Sequence, residues 1–224
     1  MNAEVFWQVI ENYNQQTYII QIVLLVAIIT AIILSYCRVA NWTVKFALGI
    51  TNLFIGITHF AIFGKMPIQF FFAAPLYISV GLLFCYECIK NPKDTLHKPN
   101  IIQMLLLTLY LFYPLVSFLL GNKFPHMVTY IMPCPIISLS IAVYSCYGKR
   151  NLPLLILMTI WGLTGVKAFI ANAYEDIILL ICGVYGVVIV VKEIYGRIKA
   201  NKGGKVYDLI RCMPRLRVQI IQGW

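Results

Sequence analysis

The sequence predicts an all-α, polytopic membrane protein with a bundle of seven transmembrane helices, and three observations carry that prediction. Of its 224 residues, 61% are hydrophobic and only 12% charged, with a mean hydropathy of +0.82. That balance lies outside the range of soluble globular domains. Seven apolar runs come close to the roughly 20 residues that a bilayer-crossing helix needs. The basic residues gather on alternate connections between those runs, as the orientation rule for membrane proteins requires.

Residues 1–17 place Val5, Phe6, Val9, Ile10 and Tyr13 at helical spacing. This reads as a short interfacial helix anchored by Trp7, and an ordinary lead-in to the first span fits the same residues. The spans follow at 18–36, 46–63, 70–87, 101–120, 128–147, 152–170 and 177–191, so that 18–191 forms the transmembrane domain. Gln21 interrupts the first, Asn52 and His59 lie in the second, and Lys167 lies in the sixth. Glu4 and Glu11 stand where a signal peptide would carry basic residues, so no cleavable leader is expected. The 7 cysteines are scattered singly and imply no disulfide framework.

With the N-terminus outside, the cytoplasmic connections carry Arg38 and Lys45, then Lys90, Lys93 and Lys98, then Lys149 and Arg150. The tail, 192–224, adds Lys192, Arg197, Lys199, Lys202, Lys205, Arg211, Arg215 and Arg217. Of 18 basic residues only Lys65, Lys123 and Lys167 face outward, which fixes an odd number of spans and a cytoplasmic C-terminus. Glu193 and Asp208 leave the tail strongly basic. Such a tail suits anionic lipid headgroups, at about 1 kcal/mol per basic residue near the surface. It has no aromatic interleaving or recognisable module, so nucleic acid is not an expected partner. A homo-oligomer is compatible with the sequence.

Between the fourth and fifth spans lies GNKFPHMVTYIMPCP, 121–135, where membrane chemistry and local sequence conflict. Pro133 and Pro135 remove amide donors and deprive the carbonyls of Thr129 and Ile131 of helical partners. In hydrocarbon an unpaired carbonyl costs several kcal/mol, so such backbone is tolerated only where it lines a wet cavity or is buried in protein. Residues 127–133 are therefore expected to be non-helical and to leave main chain facing a hydrated hollow. The helix proper is expected to begin near Pro135, since proline suits a first turn.

Most polar residues of the apolar region map to the outer half. His59 lies about 6 Å below the outer end of its span, at 1.5 Å per residue. Lys123 and His126 occupy the next outer loop, with Cys134 just inside, and Lys167, Glu175 and Asp176 flank the third, with Cys182 two turns below. Ionisable groups in a membrane mark functional sites by default. The candidate cavity set is therefore His59, His126, Pro133, Cys134, Pro135, Lys167, Glu175, Asp176 and Cys182. Each has a bland reading as well: His59 as a bundle histidine bonded to a carbonyl, Lys167 as a partner of Glu175 or Asp176, and Cys134 as a small buried hydrophobe. No cofactor is expected. His59 and Cys134 are the residue types a transition metal would take, but they share no short ligand spacing. Glu87 is the single carboxylate expected within a span, at its inner end, which speaks against a proton relay.

The order Tyr13-Asn14…Gln21, Gly56-x-x-His59, Tyr113-Pro114, Gly121-x-x-Phe124-Pro125, Pro133-Cys134-Pro135 and Glu175-Asp176 resembles the family catalogued as domain of unknown function 6064. The resemblance covers nearly the whole chain up to the tail. It implies a multi-spanning protein of the bacterial inner (cytoplasmic) membrane and no assigned activity. Asn122 stands where the family often has histidine, and 127–131 replaces a Pro-Thr-Phe-Gly-like run. Both departures weaken a metal-binding reading of the outer loop.

The function expected is binding or transport of a small molecule or ion through an outward-facing cavity lined by the second, fifth and seventh helices. One alternative is a membrane-embedded thiol- or metal-dependent enzyme, with Cys134 as nucleophile and His126 or His59 as base. The other is a structural, partner-binding membrane subunit.

Overall fold

The computed structural model describes residues 3–168 and 173–211, with side chains through residue 199. Residues 169–170, expected to end the sixth span, and 212–224 of the basic tail lie outside the described residues. The described chain is helical and contains no strand, only an isolated bridge between Leu96 and Tyr147. Its seven helices are α1 (Ala3–Tyr36), α2 (Thr43–Ile55), α3 (Ala74–Lys90), α4 (Ile101–Leu119), α5 (Pro133–Tyr144), α6 (Leu152–Leu163) and α7 (Ile177–Arg211).

The described part of the expected interfacial segment 1–17, from Ala3 on, is continuous with the first span, as one helix. π-Helical turns extend α2 through Gly56–Ile62 and precede α3 at Gln69–Ala73. A 3₁₀ turn, Thr164–Lys167, continues α6, and another, Tyr174–Asp176, leads into α7. Among the described residues, five stretches are long and apolar enough to cross a membrane: Glu4–Tyr36, Thr43–Ile62, Gln69–Lys90, Ile101–Leu119 and Tyr174–Lys199. Pro133–Tyr144 and Leu152–Lys167 are apolar but shorter. At 1.5 Å per residue, α5 is about 18 Å long against a hydrocarbon core of about 30 Å. Its expected span of 128–147 is cut at Pro133 because the two prolines can occupy a first turn but not a helix interior.

Local sequence sets the other boundaries. Asn100 caps α4 in a reciprocal box with Gln103, each side chain bonded to the other's backbone N–H at 2.8 Å. Asn151 caps α6 through Leu154 N–H at 3.3 Å. Gly121, at φ +94°, ends α4 in the left-handed conformation open to glycine.

The chain divides into two compact units, Met1–Val187 and Val188–Trp224. In the first, glycines let helices approach at backbone distance, as membrane bundles require. A Cβ on Gly162 of α6 would lie 2.6 Å from the Cα of Gly183 on α7. In the second, Arg197 faces Glu193 one helical turn earlier, at 3.8 Å.

The start of α2 and the end of α3 share a buried charge cluster. Lys45 Nζ is 3.0 Å from Asp94 and 3.9 Å from Glu87, with no exposed side-chain surface, and lies 4.4 Å from the centre of the Tyr147 ring. Asn91 and Asn151 donate to the two oxygens of Glu87 at 2.9 and 3.0 Å. Glu87 is therefore a buried, fully partnered structural carboxylate rather than an interfacial one. Lys45, read from sequence as a solvated orienting charge, is an internal tie.

Candidate functional site

Residues 121–132, between α4 and α5, have no helical backbone, yet their polar groups are paired in detail. Asn14 of α1 spends its two amide hydrogens on the carbonyls of Pro125 and Met127, at 2.7 and 2.8 Å. Tyr13 donates to the carbonyl of Ile131 at 2.7 Å, Tyr77 of α3 to that of Pro133 at 2.6 Å, and Tyr110 of α4 reaches that of Tyr130 at 3.5 Å. Ser117 Oγ accepts from Val128 N–H at 3.0 Å. Thr129 Oγ1 donates to Gln21 at 2.7 Å, and Gln21 in turn donates to Asn14 at 3.2 Å.

The expected non-helical segment is thus present, but these carbonyls do not face a hydrated hollow. Hydroxyls and an amide from α1, α3 and α4 take the place that water would fill, and this satisfies low-dielectric backbone equally well.

A cavity of about 100 Å³ nonetheless lies beside the segment. Val128, Met132, Pro133, Cys134 and Pro135 form one wall. Phe6 and Ile10 come from α1, His59 and Phe60 from the π-turn of α2, and Gln69, Phe72 and Ala73 from the π-turn before α3. Trp161, Thr164, Lys167 and Asp176 complete it. The walls are therefore built from more of the bundle than the second, fifth and seventh helices: α1, α3 and α6 contribute most of the remainder.

Of the residues singled out from sequence, His59, Pro133, Cys134, Pro135, Lys167 and Asp176 meet at this cavity. His126 is elsewhere, paired with Glu11 at 2.9 Å on an exposed surface. Cys182 is buried without lining the cavity, and Glu175 lies beside it, accepting from Ser117 at 3.0 Å. Glu175 and Asp176, in the 3₁₀ turn before α7, are both buried, so Glu87 is not the one carboxylate inside the bundle. Among the described residues Lys167 makes no ion pair with either of them.

The polar geometry is specific. Asp176 accepts from Cys134 Sγ at 3.3 Å and from Tyr113 OH at 3.5 Å. Cys134 is thus engaged as a thiol donor to a carboxylate, with neither His126 nor His59 hydrogen-bonded to it. His59 is 5% exposed and packs edge-on against Tyr13 at 4.9 Å and Phe60 at 4.8 Å, and its Nδ1 has no hydrogen-bond partner. Trp161 Nε1 is likewise buried without a partner, its ring edge-on to Phe60 at 5.3 Å and Tyr77 at 5.0 Å. Buried polar atoms without partners are uncommon in folded proteins, and these two belong to residues that line one cavity. Among the described residues no three of histidine, cysteine, aspartate and glutamate come together as a metal-binding group.

Sequence reasoning missed Trp161, Tyr77, Tyr110 and Ser117, which carried no signal beyond that of ordinary apolar-helix residues. Tyr13, Asn14, Gln21, Tyr113 and the Glu175-Asp176 pair, all among the residues quoted for the resemblance, take part in the hydrogen bonding around the site. A search of the curated proteins and of the solved structures found no match. The model of a family of unknown function, DUF6064, matches residues 3–200 and so takes in the cavity and every side chain that holds it: the chain belongs to that family.

Proposed function

We propose that this chain is a seven-span protein of the bacterial inner membrane, N-terminus outside and C-terminus cytoplasmic, that binds or passes a small molecule through the His59–Cys134 cavity. The distribution of basic residues supports the orientation. α5 and α6 complete the seven spans, the first lengthened by the irregular segment 121–132 and the second by its 3₁₀ turn. The basic tail serves as a grip on anionic headgroups.

The observation that carries the binding reading is that two residues lining one cavity, His59 and Trp161, each carry a buried nitrogen without a partner, Nδ1 and Nε1. A ligand with complementary polar atoms removes both penalties at once. The thiol-enzyme reading with a histidine base draws no support from Cys134, whose S–H points at Asp176 rather than at His59 or His126.

The test is a thermal-shift screen of ions and small metabolites on the purified chain in lipid nanodiscs, repeated on His59→Ala and Cys134→Ala. The reading requires a stabilising ligand whose effect disappears in both variants. A blank screen, or a ligand indifferent to both substitutions, overturns it.

A further inference from the structure

We infer that the cavity's ligand is a small zwitterion with an apolar body, a conclusion that rests on the binding reading above and names its chemical class. The cavity offers two kinds of polar group, both accounted for by their existing bonds. On α6, Trp161, Thr164 and Lys167 follow one another at intervals of three, and the last two bound a 3₁₀ turn, in which residues three apart eclipse. Thr164 Oγ1 is committed to the carbonyl of Trp161 at 2.7 Å. What α6 has left to give is the indole N–H of Trp161, buried and unpartnered, and the ammonium of Lys167. Both groups only donate. They call for an acceptor, and Lys167 makes that acceptor a favourable place for negative charge.

Asp176 makes the reverse demand. Its two bonds come from a thiol and a phenol, both neutral, and a carboxylate has about four acceptor sites. Among the described residues no basic group pairs with it. A buried carboxylate without a cation favours a positively charged donor. His59 Nδ1 has no partner to exclude the same donor, and Phe6, Phe60 and Phe72 in the lining are aromatic rings, the residue type that attracts cations.

Charge balance selects among ligands. The lining carries one acid and one lysine that do not pair with each other, so a ligand with both charges answers both. A simple cation leaves Lys167 without an answer, and a simple anion brings like charge toward Asp176. The cavity is small, about 100 Å³, and mostly apolar in its lining, which fits a compact ligand with an aliphatic body between its two charges.

Leucine, its methyl ester and N-acetylleucine test this on the full chain in nanodiscs by titration calorimetry. The ester keeps only the cation, and the acetyl derivative only the anion. Leucine is expected to bind about tenfold or more tightly than either, a difference set by one added charged contact. Lys167→Met is expected to bring leucine down to the level of the ester without altering the ester's affinity. Asp176→Asn is expected to bring it down to that of N-acetylleucine, with Asp176→Glu restoring the preference if the asparagine variant folds poorly.

An ester equal to leucine makes this an organic-cation site, and an acetyl derivative equal to leucine makes it an anion site. Either result overturns the zwitterion while leaving small-molecule binding intact. So does a failure of all three probes when the broader screen finds another ligand. If the probes and the screen both fail, the binding reading itself falls.

Discussion

Tyr77 of α3 donates its hydroxyl to the carbonyl of Pro133, 2.6 Å away and 56 residues further along the chain. The first residue of α5 is thereby tied to a helix that it follows by more than one crossing of the bundle. Tyr13 does the same for Ile131 at 2.7 Å. Replacing either tyrosine by phenylalanine removes one oxygen, keeps the ring packing, and leaves a buried carbonyl without its donor. Such an orphan costs about 1–3 kcal/mol. Tyr77→Phe and Tyr13→Phe are each expected to lower Tm in nanodiscs by several degrees. Tyr110→Phe, whose bond to the Tyr130 carbonyl is 3.5 Å long, is expected to do much less.

The existence of this irregular segment was legible because proline chemistry is local: Pro133 and Pro135 forbid a helix interior whatever surrounds them. How the segment is satisfied was not legible, because that depends on which residues of α1, α3 and α4 face it. Helical periodicity gives a tyrosine's place around its own axis but not the partner opposite. The same limit hid the burial of Glu175 and Asp176. Their position next to an expected turn placed them outside the spans, whereas Ser117, Tyr113 and Cys134, 42 to 63 residues away in sequence, make them internal. The helices themselves were readable from hydropathy, since apolar length is a property of each segment alone.

Lys45 is a further charge found inside, having been placed by the sequence on a cytoplasmic connection. Its ammonium holds Asp94 and Glu87 together with no exposed side-chain surface. Lys45→Met keeps most of the volume but strands two nearly buried carboxylates, and breaking a buried pair in this way costs about 3–5 kcal/mol. The expected outcome is a marked loss of folded protein on size-exclusion chromatography and a lower Tm. Adding Glu87→Gln and Asp94→Asn to Lys45→Met is expected to recover part of that loss. If Lys45→Met alone runs and melts like the unaltered chain, the cluster is not an internal tie.

The contact of α6 with α7 is governed by hydrogen atoms in place of side chains. A Cβ on Gly183 would come 2.4 Å from the carbonyl carbon of Gly162, a distance that only backbone separation can relieve. Gly183→Ala is therefore expected to destabilise the bundle although alanine is the better helix former. Gly196, on the same helix, has nothing within 4 Å of its would-be Cβ. Gly196→Ala is accordingly expected to be neutral or slightly stabilising. Parallel melts of the two variants separate close packing from helix propensity.

Cys134 allows the cavity and the orientation to be tested with one reagent. Its thiol lies in the cavity wall, whereas Cys37 is exposed at the end of α1. With the N-terminus outside, Cys37 lies on the cytoplasmic side and the cavity on the outer side. A membrane-impermeant maleimide added to right-side-out vesicles is expected to label Cys134 slowly and Cys37 not at all, and in inverted vesicles to label Cys37 rapidly and spare Cys134. Single-cysteine versions keep the two signals apart. Phe6 and Phe72 share the cavity wall with Cys134, so narrowing the space by Ala73→Leu is expected to slow its labelling several-fold while leaving Cys37 unchanged. Labelling of Cys134 from the inverted side would reverse the orientation, and labelling indifferent to Ala73→Leu would mean that the reagent reaches the thiol by some route other than the cavity.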